Sequence, residues 1–118
     1  MICAVAFLSC SEPNPDLRED LPETVNYEQH IKSILDHSCV RCHGGVVTHG
    51  INFSSYANIL ESVGTDPSED IIVIGNPQSK LLRSRINPED GAMYEYLSDH
   101  SDYEKIYLWI VVDSLRQY

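Results

Sequence analysis

The sequence predicts a small all-α domain, and three observations carry that expectation. Apolar residues recur at helical spacing in four stretches, the single β-branched run has no second run with which to form a sheet, and 118 residues leave room for one domain. Hydrophobic residues at 42% and charged residues at 22% are ordinary for a globular chain, so neither a disordered tail nor a multi-span membrane protein fits. Eight Lys and Arg against 18 Asp and Glu give a formal charge of −10, which opposes binding to a phosphate backbone. Nucleic acid is not an expected partner.

Residues 1–9 are apolar and small, and composition then changes abruptly at Cys10 to a segment rich in proline and acid. The run is too short to cross a bilayer as a helix and reads as a secretory signal, although no Lys or Arg precedes it. Phe7-Leu8-Ser9-Cys10 resembles a bacterial lipoprotein signal, in which the cysteine becomes the lipidated first residue of the mature chain. Residues 10–24 are then an acidic tether: Pro13, Pro15 and Pro22 oppose helix, and Arg18 stands alone against five acidic side chains. The folded domain spans residues 25–118 and lies outside the cytoplasm, anchored to a membrane through Cys10.

From Asn26 the pattern turns helical, with Tyr27, Ile31, Ile34 and Leu35 on one face and Asn26 with Gln29 as a capping box. His30 and His37 fall off that face and are expected in solvent. Tyr56, Ile59, Leu60 and Val63 mark a short second helix, capped by Ser54 or Ser55 and stopped by Gly64. Ile71 to Ile74 is the unpartnered β-branched run and is read as an extended segment along a pocket. Asn76 caps a third helix with Pro77 at its first position and Leu81, Leu82, Arg85 and Ile86 on its apolar side. Residues 87–91 are turn chemistry that delivers Ala92 and Met93 on a loop. A last helix from about Ser101 has apolar residues nearly all round it, from Ile106 through Trp109 and Val112 to Leu115.

The four cysteines do not form a disulfide framework by spacing. Cys39-Val40-Arg41-Cys42-His43 is C-x-x-C-H, the c-type haem attachment sequence. Two thiols three positions apart on a helical turn can each form a thioether to one haem, and the adjacent His43 can give its imidazole to the iron from the proximal side. Three readings compete: a redox disulfide, which would need a βαβ context that is absent; zinc with His37, His43 or His49 completing the shell, which would want a second ligand pair at knuckle spacing; and a structural disulfide.

At this point the chain resembles planctomycete-type cytochrome c domains. Val25 to Cys39 looks like their opening helix, and the likeness continues through Cys42-His43-Gly44, through Ile74 to Leu82, and into the helix containing Leu108-Trp109-Ile110. The resemblance covers residues 25 to about 112 and implies a small cytochrome c-like fold of about four helices wrapped around one covalently bound haem c. That family commonly supplies its sixth iron ligand from a Met-Pro-Pro stretch before the last helix. The matching residue is Met93, followed here by Tyr94 and Glu95 instead of prolines.

Met1 lies in the signal, so Met93 is the thioether left for the iron, with His49 and His100 as rival distal ligands. Arg83 and Arg85 could pair with haem propionates, because guanidinium forms paired hydrogen bonds to carboxylates. The leading expectation is a lipid-anchored carrier of single electrons, with redox proteins bearing basic docking surfaces as partners. No serine elbow, phosphate loop or zinc-protease motif points to catalysis. An open sixth site, serving a small-ligand sensor or peroxidase-like enzyme, and a non-haem surface module with a Cys39–Cys42 disulfide are the alternatives.

Overall fold

The computed structural model describes residues 21–39 and 52–118. The expected signal at residues 1–9, the expected lipidation site Cys10, the expected tether up to residue 20, and Cys42, His43 and His49 lie outside the described residues.

The first helix opens as a π turn, Tyr27–Ile31, and continues without a break as α1, Lys32–Ser38. Asn26 caps it in extended conformation, its side-chain oxygen accepting from the Gln29 N–H at 2.8 Å. Gln29 returns the favour to the Asn26 side-chain amide at 2.8 Å, so the expected reciprocal box forms in a variant. The Asn26 backbone N–H goes instead to His30 Nδ1 at 3.0 Å. His30 is therefore half-buried at the cap, contrary to its expected place in solvent, while His37 is exposed.

Ser55 caps α2, Tyr56–Leu60, by accepting from the Asn58 N–H at 3.1 Å. The helix ends earlier than the expected Gly64 stop, and Leu60 is exposed, because Val63 leaves the helix to make an isolated parallel bridge with Ile72. No strand forms among the described residues. The expected helix from Pro77 also starts later. Residues 76–79 form a turn pinned by the buried Ser79, whose hydroxyl accepts from Val73 N–H at 2.9 Å and donates to Val73 and Asn76 carbonyls. Only then does the chain enter the π turn Leu81–Arg85.

A 3-10 turn, Tyr94–Tyr96, leads to α3, His100–Val111, capped by Asp99 through a 2.6 Å bond from Ser101 N–H. Ile106, Trp109 and Ile110 are buried, and Tyr103, Tyr107, Leu108 and Val111 are partly buried and packed against the core, whereas Val112, just past the helix, is exposed. Leu115 is buried too, but beyond the helix, where Ser114 and Leu115 adopt left-handed backbone conformations. Trp109 stacks at 5.9 Å on Tyr27, which in turn meets Tyr56 at 5.3 Å, joining the three helices in one core.

Candidate functional site

Segment 113–117 fixes the relation of α1 to α3. The Arg116 carbonyl accepts from both Tyr27 N–H and Trp109 Nε1, each at 2.8 Å, and Val25 N–H donates to Asp113 Oδ2 at 2.8 Å. With its start held this way, α1 runs to Ser38 and hands on to Cys39, whose N–H still donates to Leu35 O at 2.8 Å. Cys39 therefore sits at a defined place, on the wall of a cleft.

The cleft is open to solvent on one side and encloses about 50 Å³, less than the few hundred Å³ of typical small-molecule and cofactor sites. Cys39 and Ser38 come from the end of α1, Ile71 from the extended segment, Leu81 and Arg85 from the π turn, and Met93 and Tyr96 from the loop and turn before α3. The lining is otherwise apolar, so polar or ionic partners are few and specific in position. Arg85 is held beside the cleft by Nη1 donating to Ser84 Oγ at 3.2 Å.

Met93 is placed by backbone bonding. Its N–H donates to Arg85 O at 2.6 Å, and Gly91 N–H donates to Asn87 O at 2.8 Å, folding the loop back on the π turn. Gly91 is required by space alone: a Cβ there would lie 2.4 Å from Asn87 N and 2.7 Å from Arg85 O. Loop and turn thus form one wall of the cleft, with the thioether side chain 39% exposed at its mouth.

Of the residues singled out in the sequence, the structure brings Cys39, Arg85 and Met93 to this one cleft. Arg83 lies elsewhere, exposed, with Nε donating to Gln78 O at 3.1 Å and Nη2 to Pro67 O at 3.2 Å. His100 is engaged on the outer surface, its Nδ1 2.8 Å from the Tyr94 hydroxyl and its Nε2 3.1 Å from Glu104, in a row of rings that continues through Tyr103. Burial pushes the Tyr103 phenol above its ordinary pKa. Of the run 71–74, Ile71 reaches the cleft, Ile72 and Val73 are core, and Ile74 is exposed.

Ser38 and Tyr96 are cleft residues that sequence reasoning did not single out. Ser38 was accessible to it, since it extends the Ile31, Ile34, Leu35 series to i+7. Its hydroxyl is buried with no hydrogen-bond partner among the described residues, and it also borders a second, polar groove with His37 and Asp102. Tyr96 carried no sequence signal. No family model, no curated protein and no solved structure matches the chain.

Proposed function

We propose that the chain is a c-type cytochrome domain that binds one haem covalently and passes single electrons, held by a lipid on Cys10 at the extracytoplasmic face of a bacterial membrane. The observation that supports this best is a juxtaposition: the C-x-x-C-H sequence begins where α1 ends, at a cleft that Met93 lines. The donor set suits the group. A thiol and a thioether face a largely apolar cleft, and the unpartnered Ser38 hydroxyl and the Arg85 guanidinium offer the polar contacts a ring with carboxylate substituents needs.

When bound, the haem would supply one-electron cycling between ferrous and ferric iron. Cys39 and Cys42 would hold it as thioethers, His43 and Met93 would give the iron its protein donors, and Arg85 would neutralise a propionate. Arg83, tied to two backbone carbonyls away from the cleft, is less well placed for that role than Arg85. Ile71, Leu81 and Ile86 make the cleft wall apolar, and a His/Met ligand pair in such surroundings would favour a raised reduction potential.

The test is production with a haem-attachment system, followed by intact mass and absorption spectra. One added macrocycle, sharp reduced bands and a methionine charge-transfer feature are expected, with the added mass lost from the Cys39→Ala, Cys42→Ala double variant. Unmodified or mutually bridged thiols in the exported protein would overturn the proposal, and a high-spin spectrum would move it to an open sixth site.

A further inference from the structure

A hydrogen-bonded chain on the outer surface takes no part in the cleft. The Tyr94 hydroxyl lies 2.8 Å from His100 Nδ1, and His100 Nε2 lies 3.1 Å from Glu104 Oε2. An ionised carboxylate only accepts, so in the neutral imidazole Nε2 carries the hydrogen, Nδ1 offers its lone pair, and the Tyr94 phenol donates to it. Glu104 thus sets the tautomer that lets His100 receive from Tyr94. Of the seven tyrosines, no other phenol meets a base among the described residues. Tyr56 donates to the Leu115 carbonyl, and the Tyr27 hydroxyl is buried without a partner there.

A phenol bonded to a base gives up an electron more readily than one that is not. Loss of the electron alone leaves a phenol cation, whereas loss of electron and proton together leaves a neutral phenoxyl, and the proton has only one hydrogen bond to cross. Imidazole can hold that proton and a peptide carbonyl cannot. The imidazolium formed would stand in the first turn of α3, where the helix dipole opposes a cation. Glu104 at Nε2 and Asp99 at the cap, which already feels the charge of His100, supply the compensating negative charge. Tyr103 and Tyr107 continue the row at centroid separations of 6.4 and 6.1 Å, but neither phenol has a base, and burial makes the Tyr103 proton harder to lose. The oxidised state therefore rests on Tyr94.

We propose that Tyr94, His100 and Glu104 form a proton-coupled one-electron donor that intercepts dissolved oxidants of high potential, such as oxygen-centred radicals. One electron passes from the Tyr94 ring to the oxidant, which is reduced by one. The Tyr94 O–H bond breaks, an N–H bond forms at His100 Nδ1, and the Nε2 hydrogen stays on the ring facing Glu104. The products are a neutral phenoxyl and an imidazolium beside a carboxylate, and return of one electron and that proton restores the starting state. The neighbour spared is Met93, an oxidisable thioether 39% exposed. The step needs no group in the cleft and does not rest on the haem reading.

The test exposes the full chain to ruthenium(III) tris-bipyridyl, generated by a light flash with a cobalt(III) electron acceptor. Radicals are captured by a nitrone spin trap and located by peptide mass spectrometry. Accessibility alone would mark Tyr118 and Tyr96 first, at 77% and 49% exposed, ahead of the half-buried Tyr94. The expected result is that Tyr94 carries the most adduct, and that deuterated water lowers its yield because a proton moves with the electron. His100→Gln should lower the Tyr94 adduct at least ~10-fold while the Tyr96 adduct stays within about 2-fold, and Glu104→Gln should lower it by a smaller factor. A ranking by exposure, no effect of deuterium, or an unchanged Tyr94 adduct in either variant would overturn the proposal. A merely structural bond between the turn and α3 would give no isotope effect. Ranking and isotope effect are read on the wild-type chain, so they decide the matter even where a variant does not fold.

Discussion

Gly91→Ala is the sharpest test of how the Met93 wall is built. An added methyl would lie 2.4 Å from Asn87 N, and both Asn87 O and Arg85 O would be 2.7 Å away. Ordinary contact begins near 3.4 Å, so the loop must retreat by about 1 Å. All three obstacles are backbone, and no side-chain rotation relieves them. The retreat strains or breaks the 2.8 Å bond from Gly91 N–H to Asn87 O and the 2.6 Å bond from Met93 N–H to Arg85 O. Overpacking costs about 1–3 kcal/mol and each weakened backbone bond roughly 0.5–1.5 kcal/mol, so a loss of about 2–4 kcal/mol is expected. For a domain of this size that lowers the melting temperature by on the order of 10–20 °C.

Thermal unfolding followed by far-ultraviolet circular dichroism reads this directly. A variant melting within about 2 °C of wild type would refute the packing argument. Gly75→Ala separates space from backbone conformation: no atom lies within 4 Å of its added Cβ, but its φ is +80°, so it should cost about 1 kcal/mol through strain alone.

Ser79→Ala should destabilise by about 1–3 kcal/mol in urea unfolding, because the buried Val73 N–H loses its 2.9 Å acceptor; an unchanged midpoint would count against that account. Tyr27→Phe should leave stability unchanged or raise it by up to about 1 kcal/mol, since the Tyr27 hydroxyl is buried with no partner among the described residues, and a clear loss would reveal one. Asp99 titrates below its ordinary value of 3.8 through its hydrogen bonds from Ser101, so its contribution is full above that pH and fades as acid protonates the folded carboxylate. The stability gap between wild type and Asp99→Ala should therefore hold from neutral pH down to about pH 5 and shrink below about 3.8. A gap that ignores pH would be inconsistent with an ionised cap.

Legibility in the sequence followed the range of the forces involved. Asn26 with Gln29, Ser55 and the turn at residues 87–91 were readable because caps and turns are local chemistry. The start of the third helical segment was misread because Asn76-Pro77 is a good helix opening on its own, and the competing bonds come from Ser79 to Val73, six residues back. His30 was misplaced for a related reason: periodicity put it off the apolar face, and its role is to receive the cap's backbone N–H. The cleft itself was partly readable. Cys39, Arg85 and Met93 were named from motif and resemblance, but Tyr96 and the separation of Arg83 from Arg85 depend on how the π turn and the following loop fold together.

The clasp made by residues 113–117 sets a chronology. Val25 and Asp113 are 88 positions apart, and the Tyr27 N–H that opens the first helix waits for a carbonyl at Arg116. Contacts of such long range form late, after the intervening chain has been made and gathered. A nascent chain therefore carries the start of its first helix, and Cys39 at the end of that helix, unclasped until residues 113–117 have been made.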